Sequence, residues 1–443
     1  MKNKKAVVKA SITVFSLLAV SAVILFAAGV FAGTHISTIK ITSCTTIGNL
    51  GECIIAGGII DHDFDVEVCN DVGSPDGIRE FRIYYEWEDF TDFTDVDCLA
   101  KTGWDKAVLT TIWGKACIYS SEAESNNIEP GECTDFGFDA DTPEEGSCRT
   151  LRFETTDEDT PIGDVNRIDA QVCVDADDPL TTKSFIGPYK IENGVEWIDG
   201  VTEIELIAID PEPHPAGVDK TWYMNVIDLT EDSCWNQEEF CNPITEWPGQ
   251  YLEGYSPYDE VKCINSGQEL CSENYEPNTN DWYDCVEGYA YNKCNIDPLW
   301  KLYRGTPISK DEESCHMLQF FSIDKVGKVE NYKTNCFFVD KTPPIITKEV
   351  GEPNLPCGDG EECDYFISSE TDITLTCEDQ EPHPSNDVTI YWRYKVDEDG
   401  DGFGDESFGQ IFSENAGEAV FNFPEPSMHQ LEYWCVDAVE KES

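Results

Sequence analysis

The amino-acid sequence predicts an all-β chain built from tandem β-sandwich domains. Three observations carry this prediction: segments that alternate apolar and polar residues, a six-residue string that occurs twice, and cysteines that recur at matching strand positions. The string Asp-x-Glu-Pro-His-Pro stands at 210–215 and again at 379–384, each time directly after an alternating segment. Alternation with a period of two is the pattern of a half-buried strand, so each string marks a loop between strands.

The strands around this string form a repeating unit. The matching segments are 220–226 with 389–396, 317–330 with 430–442, and, in a more distant upstream copy, 64–71, 79–87 and 167–178. The pair 317–330 and 430–442 aligns without gaps, so that Asp324 corresponds to Asp437. The upstream copy lacks the Glu-Pro-His-Pro string, and the fold therefore does not require that string.

Cysteines support the repeat independently. Cys69 and Cys173 fall at two equivalent strand positions in the first copy, Cys377 and Cys435 fall there in the third, and the second copy lacks both. Partners that are present together and absent together are expected to be bonded, so we expect the disulfides Cys69–Cys173 and Cys377–Cys435. A bridge across the core between two strands distant in sequence is the inter-sheet bridge of an immunoglobulin-like (Ig-like) sandwich. The expected fold is therefore tandem Ig-like β-sandwich domains with cysteine-rich loop insertions.

The junction Asp-Lys-Thr-Pro-Pro at 340–344 resembles the junctions between tandem Ig-like repeats of bacterial and archaeal surface proteins, and 320–330 resembles their last hairpin. The resemblance implies spacers, adhesion modules or parts of a surface layer. The expected domains are 33–190, 191–342 and 343–443. We expect the third domain to stop before its last strand and the gene to continue past Ser443, because a sheet ending there would leave a bare edge.

Insertions distinguish the domains. The first has an insert near 88–150 with four cysteines, and the second has an aromatic, cysteine-rich insert near 227–314 with six. Loops of this length are usually functional or separately stapled. Two interpretations stay open: a stapled excursion whose aromatic residues form their own small core, and a recognition surface on a rigid scaffold.

The segment 1–32 has the pattern of an export signal or an N-terminal membrane anchor. Four lysines precede an uncharged apolar run at 11–32, and small residues before Gly33 suit cleavage there. The run is also long enough for an uncleaved anchor. Both alternatives predict export through the Sec pathway to an extracellular or cell-surface location, where the 20 cysteines are expected to form disulfides rather than zinc sites.

The charge of the chain restricts its partners. Its 88 acidic and 29 basic residues give a net charge of −59. A polyanion of this kind repels nucleic acid and acidic lipid. The expected partner is an extracellular protein or glycan, with membrane contact only through the N-terminal segment or through a C-terminal anchor that this sequence lacks.

The sequence Asp-Glu-Asp-Gly-Asp-Gly-Phe-Gly-Asp at 397–405 places acids at positions 1, 3, 5 and 9 and a glycine at position 6. It resembles the DxDxDG calcium loops of thrombospondin type 3 repeats, dockerins and EF-hands. The resemblance implies a Ca²⁺ ion, because that ion takes six to eight oxygen ligands around a sharp glycine turn. The expected ligands are the side chains of Asp397, Asp399, Asp401 and Asp405 and the carbonyl of Phe403. Position 12 departs from the pattern, since it is Phe408 rather than glutamate. The alternative is a solvated hairpin turn.

Aspartates at strand ends suggest a second cation site. Asp71, Asp210 and Asp379 end the second strand of each domain (strand B), and Asp175, Asp324 and Asp437 are assigned to the end of the sixth (strand F). The loops that follow these two strands lie at the same pole of a sandwich. The alternative is that each aspartate caps its own loop.

Motifs of common enzymes are missing from the sequence, including HExxH, GxSxG, the phosphate loop and the dinucleotide fingerprint. We therefore expect no enzyme activity. We expect the chain to act as an exported structural or adhesive surface protein. Its modules are expected to be stapled by disulfides and rigidified by calcium. The alternative is a secreted binding protein whose cysteine-rich insert recognises a glycan or protein, and a minor alternative is a non-catalytic region of a larger exported enzyme.

Overall fold

The computed structural model describes residues 37–443 apart from 45, 48–51, 75, 86–92, 112–113, 158–164, 193, 229–256, 295, 297, 359–362, 382–383, 386, 398–401 and 404–406. The chain divides into two compact units, Met1–Ala176 and Asp177–Ser443. The expected export segment 1–32 lies outside the described residues. Among the helices described, none is both long and apolar enough to cross a membrane.

The first unit is a sandwich of two sheets. Its strands are β1 (Ser37–Ile41), β2 (Thr46–Ile47), β3 (Cys53–Ala56), β4 (His62–Asn70), β5 (Ile78–Tyr84), β6 (Thr94–Cys98), β7 (Trp104–Thr111), β8 (Gly114–Ser121), β9 (Cys133–Asp141), β10 (Ser147–Asp157) and β11 (Asn166–Asp175). One sheet has the order β1-β4-β9-β6 and the other the order β2-β3-β11-β10-β5-β8-β7. Burial alternates along β1 and through most of β4, and Phe64, Phe81 and Phe138 are fully buried in the core.

The second unit begins with another sandwich. Its elements are β12 (Leu180–Ile186), β13 (Tyr189–Glu192), β14 (Val195–Asp199), β15 (Glu203–Ile209), β16 (Val218–Asp228), α1 (Pro257–Ser272), α2 (Asn280–Lys293), β17 (Lys301–Leu302), β18 (Ile308–Ser309), β19 (Cys315–Asp324) and β20 (Lys333–Asp340). The sheets have the orders β12-β15-β18 and β13-β14-β20-β19-β16-β17. Every residue of β19 is buried. Leu318 and Phe320 pack against the facing sheet, whereas Met317 and Phe321 pack on the helix side.

The described part of the insert in this second sandwich contains a helical hairpin, where the sequence suggested a loop. The disulfides Cys263–Cys294 and Cys271–Cys285 staple α1 and α2. Trp282 of α2 is buried in one cluster with Trp222 of β16. The buried residues of the hairpin therefore share one apolar cluster with the outer face of the larger sheet, separate from the cluster between the two sheets. The insert near 88–150 of the first unit likewise supplies strands, β6 to β9, to both of its sheets.

The third sandwich completes the second unit. Its strands are β21 (Ile345–Val350), β22 (Asn354–Pro356), β23 (Tyr365–Ile367), β24 (Ile373–Glu378), β25 (Thr389–Asp397), β26 (Phe412–Glu414), β27 (Glu418–Phe421) and β28 (Met428–Val436). The sheets have the orders β21-β24-β27 and β26-β25-β28, with a small β22-β23 pair beside them. Among the described residues, one apolar cluster in this sandwich has six buried members, of which two are Cys377 and Cys435.

Strand pairing confirms Ig-like sandwiches and corrects the alignment of the first copy. β3 runs parallel to β11 in the first sandwich, and β14 runs parallel to β20 in the second. β10 joins β11 to β5, just as β19 joins β20 to β16. β11 is therefore the last strand of its sandwich, and the assignment of 167–178 to strand F is wrong. β10 takes that place.

The disulfide pairing agrees with this order of the strands. Cys377 and Cys435 are bonded between the two sheets of the third sandwich, as predicted. The predicted bond Cys69–Cys173 is wrong, because Cys69 is bonded to Cys133 and Cys173 to Cys148. Each bond joins residues directly opposite on adjacent strands of one sheet. Such pairs approach to about 4.5 Å between Cα atoms, whereas facing sheets lie about 10 Å apart.

A hydroxyl cluster in the second sandwich occupies the place of the inter-sheet disulfide. Ser322, which matches Cys435, lies 2.6 Å from the Thr181 hydroxyl of the facing sheet and 2.7 Å from the Thr221 hydroxyl, oxygen to oxygen. The buried Glu330 carboxylate accepts hydrogen bonds from the backbone N–H groups of Thr181 and Ser322. Hydrogen bonds thus connect the sheets where this copy lacks the cysteine pair.

The first division of the chain falls earlier than the predicted boundary at 190. β12 pairs along its whole length with β15, so the segment 180–186 belongs to the second sandwich. The second unit continues through 342 and includes both the second and the third sandwich.

Candidate metal centre

Three aspartates converge where the second sandwich meets the third. Asp340 is the last residue of β20, Asp379 follows β24, and Asp437 follows β28. One carboxylate oxygen of each residue lies within 4.8 Å of those of the other two. The three residues are 39 and 58 positions apart along the chain, so the strand pairing, and not local sequence, brings them together.

Backbone turns orient two of these carboxylates. The Thr342 N–H donates to Asp340 Oδ1 at 3.2 Å, where the chain leaves β20. The N–H groups of Val439 and Lys441 both donate to Asp437 Oδ1 at 2.9 Å and close the turn after β28. The Oδ1 atoms of Asp340 and Asp437 therefore accept hydrogen bonds from their own turns, and their Oδ2 atoms can bind other partners.

The third carboxylate, that of Asp379, has local donors on both oxygens. The Gln380 N–H donates to Oδ1 at 3.0 Å, and the Ser385 hydroxyl donates to Oδ2 at 2.9 Å. A carboxylate offers about four acceptor positions, so both oxygens can still accept a further bond.

Burial makes the cluster costly as it stands. Asp340 is fully buried and Asp437 is 6% exposed. The Oδ2 atoms of both are buried without a hydrogen-bond partner among the described residues. Buried polar oxygens are normally paired, and an unpaired buried charge costs much free energy. These two oxygens thus call for a further partner.

The electrostatics agree with the burial. Burial, followed by the negative charges of Asp379 and Asp437, raises the pKa of Asp340 to about 7. Burial also raises the pKa of Asp437 to about 6, although Lys441 and two backbone N–H groups oppose that rise. The cluster therefore disfavours full ionisation unless a positive charge compensates it.

The arrangement suits a hard divalent cation. Ca²⁺ binds oxygen at about 2.3–2.6 Å, so two ligand oxygens on one ion are at most about 5 Å apart. The separation of the three oxygens lies within that limit. The chemistry available here is thus the binding of an ion by carboxylate oxygens.

The surroundings of the cluster join the second sandwich to the third. Val439, two residues after Asp437, is fully buried in the apolar cluster that contains Trp222 of the second sandwich. Lys441 forms an ion pair with Asp199 of the second sandwich. The turn that carries Asp437 is therefore packed against the same sandwich that supplies Asp340.

The sequence anticipated part of this site. Asp379 and Asp437 were expected to meet, and they do, whereas Asp71 accepts from the Gly73 N–H and caps its own turn. The sequence reasoning missed Asp340 because Asp175 had been placed on strand F. A repeated string could have identified Asp340 as the equivalent of Asp175. Val-Asp-x-x-x-Pro occurs at 174–179 and at 339–344, each time just before the first strand of the next sandwich.

The structure describes only part of the expected DxDxDG site. Asp397 is 5% exposed, and its Oδ2 accepts from the Gly402 N–H at 3.1 Å, which closes the loop. The Phe403 carbonyl, an expected calcium ligand, accepts a hydrogen bond from the Lys395 ammonium group, with 3.3 Å between Nζ and the oxygen. The other expected ligands, Asp399, Asp401 and Asp405, lie outside the described residues.

Comparison with family models and with curated proteins finds no match to this sequence. Among solved structures, the chain is similar to the C-terminal domain of the Streptococcus pyogenes antigen I/II-family protein AspA, with 6% identity, a TM-score of 0.26, and coverage of 69% of this chain and 100% of that one. It is also similar to a cohesin module of a Clostridium perfringens family 33 glycoside hydrolase, with 15% identity, a TM-score of 0.20, and coverage of 32% and 98%.

A further similar structure is an uncharacterised Nocardia farcinica protein with an immunoglobulin-like fold. It has 11% identity, a TM-score of 0.20, and coverage of 26% of this chain and 82% of that one. At these identities and TM-scores no ligand or function is transferred to the chain. The strand pairing itself identifies the Ig-like sandwiches.

Proposed function

We propose that the chain is exported through the Sec pathway and acts at the cell surface as a structural or adhesive protein. The observation that carries the proposal is the disulfide cross-linking of the chain: the first and third sandwiches are each cross-linked internally, and the helical hairpin of the second is stapled by two disulfides. All eight cysteines of 33–176 pair within the first unit, and the four of 343–443 pair within the third sandwich. Disulfides at this density persist in oxidising, extracellular surroundings.

The proposed role is mechanical and requires no catalytic step. Each sandwich has its own buried core, and covalent cross-links keep such modules folded without a cytoplasmic repair system. The net charge of −59 keeps the surface hydrated and suits a medium that contains multivalent cations.

The test is localisation in the organism that produces the protein. We expect an antibody to label the first sandwich on intact cells, external protease to remove that label, and the mature N-terminus to be Gly33. A cytosolic protein that external protease cannot reach, with reduced thiols, would contradict the proposal.

The proposal includes a calcium ion in the 397–405 loop, bound by the four aspartates and the Phe403 carbonyl after Lys395 leaves that oxygen. The test is the thermal unfolding of the third sandwich with and without calcium. A calcium-dependent rise that the double variant Asp399→Ala, Asp401→Ala abolishes supports the site. No rise in the wild type would leave only a hairpin turn.

The helical hairpin favours a second candidate function, recognition of an extracellular protein or glycan. Leu270 and Tyr275 are apolar residues of this hairpin that are 50% and 43% exposed. Changing both to serine removes apolar contact area without touching the buried Trp282. Val201→Ser, at another exposed position, is the matched control. Loss of cell or glycan binding in the hairpin variant alone supports recognition, and unchanged binding supports a spacer.

A further inference from the structure

We propose that Asp340, Asp379 and Asp437 together bind one calcium ion, and that this ion ties the second sandwich to the third. Asp340 belongs to the last strand of the second sandwich, whereas the other two end strands of the third. An ion held by all three would cross-link the sandwiches at the point where the chain passes between them.

Unsatisfied oxygens, and not acidity alone, point to a ligand. Acidic side chains in proteins are mostly exposed and then need no counter-ion, so the 88 acids of this chain do not by themselves point to a site. Asp340 is fully buried, and its Oδ2 and that of Asp437 have no hydrogen-bond partner among the described residues although both atoms are inaccessible to solvent. Both atoms belong to the carboxylates that converge within 4.8 Å.

Among the described residues, the neighbouring side chains compensate this negative charge only in part. Asp340 is further repelled by the carboxylate of Glu313. Lys441 lowers the pKa of Asp437, but its ammonium group is directed to Asp199 in an ion pair. The raised pKa values of Asp340 and Asp437 express the same deficit of positive charge. A divalent cation between the three carboxylates removes this deficit and satisfies both Oδ2 atoms at once.

Calcium fits better than a transition metal. The converging ligands are carboxylate oxygens, and neither imidazole nor thiolate, the ligands that zinc and copper prefer, is among them. Calcium also accepts irregular sets of six to eight oxygens, which backbone carbonyls and water complete. The Oδ1 atoms are already fixed by N–H groups of their own turns, so the Oδ2 atoms of Asp340 and Asp437 are preorganised for the ion.

Hydrogen exchange of the mature chain, read by mass spectrometry in EDTA and in millimolar CaCl₂, tests the site locally. Potassium chloride in both buffers screens the diffuse binding of ions to the acidic surface. We expect calcium to slow exchange in 338–344 and 436–441. The 397–405 loop lies between β25 and β26 and is followed through separate peptides.

The variants Asp340→Asn and Asp437→Asn keep Oδ1 as an acceptor and remove one charge. We expect each to raise the calcium concentration for half-maximal protection by roughly tenfold or more. In EDTA the same variants should melt at or above the wild type, because they relieve repulsion, whereas in calcium the wild type should melt higher. This reversal distinguishes an ion ligand from a residue that merely supports the fold.

The matched control is Asp372→Asn, which removes one exposed charge at the opposite end of β24 from Asp379. We expect it to keep the calcium-dependent protection. Unchanged exchange at 338–344 and 436–441 on adding calcium to the wild type would overturn the proposal. So would an Asp340→Asn variant that folds and keeps wild-type calcium affinity in these segments.

Discussion

The Cys377–Cys435 bond should contribute much of the stability of the third sandwich. The two cysteines belong to a cluster of six buried residues in the described part of this sandwich. We therefore consider the double variant Cys377→Ala, Cys435→Ala, which removes the bond and leaves apolar side chains. The double variant Cys357→Ala, Cys363→Ala removes the other disulfide of the same sandwich and is the matched control.

The magnitude follows from the loops that the two bonds close. The partners are 58 residues apart in Cys377–Cys435 and 6 apart in Cys357–Cys363. The chain-entropy relation gives about 4 kcal/mol for the first bond and about 2 kcal/mol for the second. The free energy of unfolding of the third sandwich should therefore fall by about 2 kcal/mol more in the first variant, a factor of roughly 30 in the unfolding equilibrium.

Hydrogen exchange in increasing guanidinium chloride measures each sandwich separately. Amides of β24 and β28 report the third sandwich, and those of β16 and β19 report the second. We expect β24 and β28 to open at lower denaturant in the Cys377, Cys435 variant than in the control variant. Equal shifts in the two variants, or an equal loss of protection in β16 and β19, would refute the reasoning.

Three further substitutions test packing in the second unit. Val439→Ala should lower the free energy of unfolding by about 2 kcal/mol, because it opens a cavity in the apolar cluster on the helix side of the second sandwich, and should speed exchange there as well as in the turn after β28. Glu330→Ala should cost about 1–3 kcal/mol, since it leaves the buried N–H groups of Thr181 and Ser322 without their acceptor, and guanidinium unfolding measures the loss. Trp222→Ala should cost about 3–5 kcal/mol in the same assay, whereas the exposed Val201→Ala should stay near zero.

The sequence was sufficient to predict strands and repeats but not all of their neighbours. Alternation located strands around Asp210 and Asp379, and the Cys377–Cys435 bond was predicted from matched positions. Alternation shows that a segment is a half-buried strand without showing which strand lies beside it. β10 and β11 both alternate, and choosing β11 as strand F led to the wrong bond Cys69–Cys173.

The sequence predicted two of the three aspartates of the candidate metal centre, again because it located strands but not all of their neighbours. Asp379 and Asp437 follow strands that were assigned correctly, so their meeting at one pole followed from the sandwich. Asp340 comes from the preceding sandwich, and only the packing of one sandwich against the next brings it to the cluster. The helices α1 and α2 were not predicted, because the cysteines and aromatic residues of the insert indicate stapling and packing without indicating which secondary structure carries them.

Disulfide mapping of the native secreted protein, without reductant, is the most direct test of an exported chain of internally stapled sandwiches. Peptide mass spectrometry should find Cys69–Cys133, Cys148–Cys173 and Cys377–Cys435 in the same molecules. These three bonds would support the strand order of the first sandwich, the inter-sheet bridge of the third, and an oxidising location. Reduced cysteines at these positions, or the bond Cys69–Cys173, would contradict the account.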